Sequence, residues 1–123
     1  MEFNIGMEEN IAILDLVGEL VAATGEELEK HVSELMEKKC VNIIFQMNKI
    51  NFMDSSGLKY CFKIGKELSE KNGMLVFVQP NEAVGKVFHI TGADRKLSIV
   101  KSKGDGLKLI RENINRTVGQ GGI

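Results

Sequence analysis

The sequence has 123 residues, 43% of them hydrophobic, which predicts a single domain with one hydrophobic core. It carries 16 Lys and Arg against 17 Asp and Glu, and this balance argues against direct binding of nucleic acid or of a membrane surface. Its two cysteines and two histidines lack the spacing of a zinc site, so we expect no metal and no cofactor. We find no signal peptide and no apolar run long enough to span a membrane, so we expect a cytoplasmic protein. Cysteine is among the residues most often buried, so we expect both thiols to lie in the core.

The start of the chain shows the pattern of a β-hairpin. Phe3, Ile5 and Met7 alternate with polar or small residues, which predicts a half-buried strand. Residues 8–10 predict a tight turn, and the almost continuous apolar run of residues 11–17 predicts a more buried second strand.

A helix and a central strand are predicted next. Thr24 followed by Glu27 has the spacing of a capping box, with Thr24 as the N-terminal cap of a helix. Apolar residues at helical spacing continue this helix to about Lys39. The apolar run of residues 40–47 is rich in β-branched side chains, which predicts a buried strand, and residues 48–53 are expected to form a loop.

The second half of the chain alternates helices with strands. Residues 54–57 carry N-cap side chains ahead of a helix that closes at Asn72 and Gly73, and residues 74–78 predict a buried strand. The remaining predicted elements are a short helix from Asn81 to about Gly92, a strand at residues 97–100, a helix around residues 107–114 and a flexible tail at residues 117–123.

The predicted order of elements is β-β-α-β-α-β-α-β-α. Helices alternating with apolar strands are typical of an α/β domain with parallel strands, and the opening hairpin adds an antiparallel strand. We therefore expect one α/β domain at residues 1–116, with a mixed, mostly parallel sheet of about five strands and four helices.

The segment Asp54-Ser55-Ser56-Gly57 is the candidate site. It joins a predicted strand to a predicted helix, where hydroxyl groups and unpaired backbone amides meet solvent and where the helix dipole tolerates an anion. Gly57 carries no side chain beside the serines, which would let another molecule approach the backbone. The residues alone leave a second interpretation open, because aspartate and serine are also ordinary helix caps.

Residues 52–58, Phe-Met-Asp-Ser-Ser-Gly-Leu, resemble the signature of anti-sigma factor antagonists, the bacterial branch of the STAS domains. Two flanking stretches agree with this resemblance. Val-Gly-Glu-Leu at residues 17–20 is similar to the end of the family's second strand, and Val-Phe-His-Ile-Thr-Gly at residues 87–92 is similar to a recurrent stretch of its later half. The resemblance covers residues 3 to about 115, almost the whole chain, and implies the STAS fold.

The resemblance implies a regulatory protein. In the family, the serine after the motif aspartate is phosphorylated by an anti-sigma factor that is itself a serine kinase using ATP, and that position here is Ser55. The unphosphorylated antagonist binds the kinase and frees the sigma factor for transcription, and a PPM-type phosphatase resets it. Asp54, Ser56 and Gly57 match the rest of the motif and would shape the docking surface. Val21 stands where the family usually has aspartate after Gly-Glu-Leu, so we expect it to offer a partner an apolar contact.

Two other functions stay open at this point. A STAS module that is not switched by phosphorylation, as a scaffold or as an accessory subunit of a signalling or transport complex, would share the fold. An enzyme with a serine nucleophile would need a base within hydrogen-bond reach. The Gly-x-Ser-x-Gly motif is absent, and His31 and His89 are the only histidines. We therefore expect the chain not to be an enzyme.

Overall fold

One β-sheet and four α-helices make up the part of the chain that the structure describes, which confirms the predicted α/β domain with a mixed sheet of five strands. The structure is a computed structural model, and it describes the backbone of residues 2–121 and the side chains of residues 2–116. The strands are β1 (Glu2–Glu8), β2 (Ile11–Leu20), β3 (Asn42–Met53), β4 (Met74–Val78) and β5 (Ser98–Val100). The helices are α1 (Ala22–Glu37), α2 (Ser55–Glu70), α3 (Glu82–Thr91) and α4 (Lys103–Gly121), with a 3-10 turn at Ala93–Arg95.

The five strands lie in the sheet in the order in which they occur along the chain, β1-β2-β3-β4-β5. β1 pairs antiparallel with β2 through a tight turn at Glu9 and Asn10, whose φ angles of 53° and 64° are those of a hairpin turn. The later pairs are parallel, and each is joined by a connection that includes a helix, as parallel pairing requires. The carboxyl ends of β2 and β3 therefore meet at the same end of the sheet.

Helices cover both faces of the sheet. α1, α2 and α3 pack on one face, over a core in which Phe45, Phe77 and Phe88 meet edge to face with neighbouring ring centroids 5.7 Å apart. α4 covers the other face through Leu107 and Ile110. Because water is excluded from both faces of the central strands, β3 and β4 begin as nearly continuous apolar runs.

Charged contacts tie α4 to the turn between β1 and β2. Arg111 Nε donates to Glu9 Oε2 at 2.8 Å, and Lys103 Nζ lies 3.7 Å from Glu8 Oε2. The hydrogen bond from Arg111 holds the pKa of the Glu9 carboxyl below its ordinary value. The predicted flexible tail at residues 117–123 stays a prediction, since the side chains of that segment and the whole of residues 122 and 123 lie outside the described part of the chain.

The segment predicted to be a loop at residues 48–53 is the second half of β3. The strand continues to Met53 and stays paired with β2 as far as Leu20. An irregularity in this pairing falls beside the exposed residues Asn48 and Lys49, so the alternation of apolar and polar side chains is broken there. This break is why the sequence pattern ends the strand too early.

The prediction that β1 is half-buried is wrong for most of the strand. β1 is an edge strand, and the side chains of Ile5 and Met7 are 45% and 54% exposed. Phe3 alone of its alternating apolar residues packs against the core, where its ring meets His31 of α1 edge to face at 4.8 Å. Helix α1 covers the sheet over Phe3 and leaves the rest of this edge open to solvent.

Cys40 and Cys61 are free and buried, as the sequence predicts. Burial raises the pKa of the Cys61 thiol to about 12, and the thiolate is the reactive form. In a Cys40→Ala variant at pH 8, about one molecule in 10,000 would then carry the Cys61 thiolate. We expect no reaction with a colorimetric thiol reagent in the native state and one equivalent in guanidinium. Rapid reaction without denaturant would contradict the burial of Cys61.

Candidate functional site

The candidate site lies where β2 and β3 end side by side. Leu20 and Met53 are register partners at the carboxyl ends of these parallel strands, and the backbone N–H of Asp54 donates to the carbonyl oxygen of Leu20 at 3.4 Å. A helix follows each strand at once, with Val21 as the N-cap of α1 and Asp54 as the N-cap of α2. The structure therefore brings Val21 and residues 54–57, the two predicted segments, to one end of the sheet.

Asp54 caps α2, which confirms the N-cap chemistry predicted for this segment. Its Oδ1 accepts a hydrogen bond from the backbone N–H of Gly57 at 2.9 Å, and its carbonyl oxygen accepts the first helical bond, from the N–H of Leu58 at 3.0 Å. Ser55 and Ser56 are thus the first two residues of α2, where backbone amides have no acceptor within the helix. Ser55 is exposed, whereas Ser56 is half-buried.

Gly57 is buried because α2 begins in direct contact with the end of β2. A Cβ atom at Gly57 would lie 2.0 Å from the carbonyl oxygen of Leu20 and 2.6 Å from its carbonyl carbon. The backbone that approaches Gly57 so closely belongs to the same chain, whereas the sequence predicts access for another molecule at this position. Glycine here sets how near the first turn of α2, with Ser55 at its start, lies to β2.

Helix α1 begins three residues earlier than the capping pattern predicts, because its N-cap is Val21 rather than Thr24. Its first residue is Ala22, so Thr24 is the third residue of the helix rather than its cap. Thr24 Oγ1 accepts from the backbone N–H of Val21 at 2.9 Å and donates to the carbonyl oxygen of Glu19 at 2.8 Å. This is half of a capping box, because the valine side chain at the N-cap has no acceptor for the other half. Val21 is half-buried beside this turn.

Residues outside the predicted set complete the surface around Ser55. Phe52, the last residue but one of β3, is 48% exposed. A shallow cleft of about 340 Å³ beside the start of α2 is lined by Ala22, Ser56, Lys59, Tyr60 and Lys63. Lys63 Nζ is held 3.0 Å from Glu29 Oε2 of α1, and its hydrogen bond to Glu29 raises the pKa of Lys63. The sequence signal for Lys59 is its spacing, four residues after Ser55 on one helix.

The described residues offer neither a metal centre nor a membrane span. Among them, no group of three or more His, Cys, Asp or Glu side chains is placed to hold a metal ion. The helices in the described part of the chain are too short or too polar to cross a membrane. His31 contacts Phe3, and His89 Nδ1 lies 3.0 Å from Asp94 Oδ2, so both histidines are engaged by elements other than the start of α2.

Comparison with known proteins adds a family to this geometry. Residues 3–106 match the family model of the STAS domain. The chain is 26% identical over 110 residues to the anti-sigma F factor antagonist of Paenibacillus polymyxa, and the match covers 87% of this chain and 94% of that protein. A Thermotoga maritima protein described as an anti-sigma factor antagonist is 24% identical and has a TM-score of 0.82, covering 89% of this chain and 94% of its own.

The anti-sigma factor antagonist SpoIIAA is similar in both of its solved forms. Its unphosphorylated form is 23% identical and has a TM-score of 0.76, covering 90% of this chain and 97% of that one. The phosphorylated form of the Bacillus protein is 22% identical and has a TM-score of 0.67, covering 89% and 99%. At these identities the two structures show a shared fold.

The match to the family model spans most of the chain and includes residues 54–57 of the candidate site. The relatives are named as antagonists of other proteins rather than as enzymes, which agrees with the prediction that the chain is not an enzyme. The chain therefore belongs to the STAS domain family, and along most of its length it is similar to anti-sigma factor antagonists.

Proposed function

We propose that this protein is an anti-sigma factor antagonist that works by partner switching in the cytoplasm. Its unphosphorylated form binds an anti-sigma factor that is a serine kinase, and this binding frees a sigma factor for transcription. The kinase transfers the γ-phosphoryl group of ATP to the Ser55 hydroxyl, which ends the binding, and a PPM-type phosphatase later hydrolyses the phosphate. The observation that carries the proposal is the exposed Ser55 at the first position of α2, within the family motif.

Three features support Ser55 as the phosphate acceptor. Its side chain is exposed, so a kinase can reach the hydroxyl. It begins a helix, whose unpaired first-turn amides and dipole tolerate an anion. The structurally similar SpoIIAA exists in a phosphorylated and an unphosphorylated form.

The other motif residues support the docking surface in different ways. Asp54 fixes the start of α2 by capping it, and Gly57 fixes the distance of that start from β2. Ser56 is half-buried and lines the cleft beside α2. Val21, at the neighbouring helix start, offers an apolar side chain to the same partner. Ser55, Ser56 and Val21 form the contact that phosphorylation interrupts, and Asp54 and Gly57 hold the start of α2 in position for it.

Incubation with candidate kinase anti-sigma factors from the same genome, in the presence of ATP, tests the proposal directly. We expect one phosphate per chain, located on Ser55 by tandem mass spectrometry. Ser55→Ala should abolish its incorporation, and Ser56→Ala, a matched change one residue away, should retain it. Phosphate on Ser56 alone would overturn the assignment. Tight binding without phosphate on either serine would favour a non-switched STAS scaffold or accessory subunit.

Val21→Asp tests whether the end of β2 contacts the partner. An aspartate at this N-cap can accept from first-turn amides of α1, so we expect the free energy of unfolding to rise by about 1 kcal/mol. We expect partner affinity to fall, because the change puts a charge where the interface has an apolar contact. Denaturant unfolding measures the first effect and titration calorimetry the second. Unchanged affinity for the cognate partner would remove Val21 from the interface.

A further inference from the structure

Lys59 lies one helical turn from Ser55. Both side chains are exposed on α2, and residues four apart on a helix share a face, with Cβ atoms about 5–6 Å apart. Side chains on a helix lean toward its N-terminus, which directs Lys59 toward Ser55. A lysine ammonium on its four-carbon stem therefore reaches an oxygen of a phosphate carried by Ser55.

The charge of Lys59 is available for such a contact. Among the described side chains, no carboxylate forms an ion pair with Lys59. Lys63, the next lysine along the same face, is already bound by Glu29 of α1 at 3.0 Å. Lys59 is thus the unpaired cation nearest to Ser55 along this face of the helix.

The carboxylate of Asp54 lies next to Ser55 in the chain, so a phosphate on Ser55 would be stabilised by a nearby cation. Asp54 Oδ1 already accepts from the backbone N–H of Gly57, so this first-turn amide is not free to bind a second anion. Phosphorylation adds a charge of about −1.5 to −2 next to the Asp54 carboxylate, and the two anions repel each other. The phosphate is therefore drawn away from the cap and along the helix face toward Lys59.

We infer that Lys59 holds the phosphate of phosphorylated Ser55 in an intrahelical ion pair. This inference rests on the proposed function, since it concerns the same serine. In the unphosphorylated protein, Lys59 can pair with an acidic group of the partner. In the phosphorylated protein, the phosphate on Ser55 of the same helix neutralises its charge. One modification then both adds a negative charge to the docking surface and removes a positive one.

Incorporation of phosphoserine at position 55 during translation prepares the phosphorylated protein without any kinase. A ³¹P NMR titration then measures the second pKa of the phosphate. A nearby cation favours the dianion, so we expect this pKa to be about 0.2–0.4 lower in the parent protein than in Lys59→Met. Lys59→Arg should keep the low value. Lys66→Met removes the same charge from α2 about 16 Å away along the axis, beyond the screening length, and should leave the pKa unchanged.

Equal phosphate pKa values in the parent protein and in Lys59→Met would overturn the inference. So would an equal rise of this pKa in Lys66→Met, which would show a general field rather than a specific pair. The proposed function fails on a different result, the absence of kinase-dependent phosphate on Ser55. Because the phosphoserine here is introduced by translation, the two failures are distinguished by separate measurements.

Discussion

Replacing Gly57 with alanine should lower the free energy of unfolding by about 2–4 kcal/mol. The added Cβ would lie 2.0 Å from the carbonyl oxygen of Leu20, and both atoms are fixed to the backbone. Relief therefore requires α2 to move away from β2, which strains the Asp54 cap and displaces Ser55. Urea unfolding followed by circular dichroism measures the loss. The slope of the free energy of unfolding against urea concentration should not change.

Gly85→Ala is the matched control for this change. Gly85 also lies in a helix, α3, but apart from its chain neighbours and the backbone of its own helix no atom of the described residues lies within 4 Å of its Cβ position. Alanine there should raise the free energy of unfolding by about 0.5–1 kcal/mol, because it reduces the backbone freedom of the unfolded chain. The two glycine substitutions should therefore change the free energy of unfolding in opposite directions. A Gly57→Ala variant as stable as the parent protein would show that α2 does not begin in contact with Leu20.

Replacing Ser55 with aspartate should keep the native fold but weaken binding of the kinase anti-sigma factor by about 100-fold or more. Like charges brought together at an interface cost several kcal/mol, and every ~1.4 kcal/mol is tenfold in affinity. The helix N-terminus tolerates the added charge, so the cost falls on the complex rather than on the fold. Ser55→Ala should bind like the parent protein and should not be released by ATP. Titration calorimetry with the cognate kinase compares all three proteins.

Ser102→Asp is the control that tests whether the position of the added charge, rather than the added charge alone, weakens partner binding. Ser102 Oγ accepts from the backbone N–H of Asp105 at 3.1 Å at the start of α4, so an aspartate there adds the same charge at another helix start and can keep the cap. The affinity of Ser102→Asp for the partner should not change.

Phosphorylation of Ser55 should change amide chemical shifts only near residue 55. Shift changes spread across the sheet would show that the protein rearranges, and the local electrostatic explanation would then be wrong.

The elements that the sequence predicts best are those buried by a regular pattern. β4 spans Met74–Val78 as predicted, because both of its faces are covered and its apolar run is unbroken. The apolar spacing of α2 likewise matches its buried residues, among them Leu58, Cys61 and Leu68. The extension of β3 beyond residue 47 could not be predicted in this way, since its pairing with β2 is irregular beside exposed polar residues.

The site was located by its motif, but the physical role of Gly57 was not. Whether Gly57 faces a ligand or its own chain depends on the distance between the end of β2 and the start of α2. A local sequence pattern cannot predict that distance. The exposure of Ile5 and Met7 is a property of the same kind, because it depends on which strand lies at the sheet edge. Sequence periodicity predicts which side chains share a face, and only the assembled sheet decides whether that face is covered.

The sequential strand order has a consequence for how the chain folds as it leaves the ribosome. Each new strand finds its neighbour already synthesised, so the sheet can grow at one edge while translation continues. Among the described side chains, however, the face that carries Ile44, Val76 and Val78 is covered by those of α4. It therefore stays open to water until the residues after Lys103 have emerged. Nascent chains arrested before that point should be preferred clients of chaperones that bind apolar surface, and those arrested after α4 should be released from them.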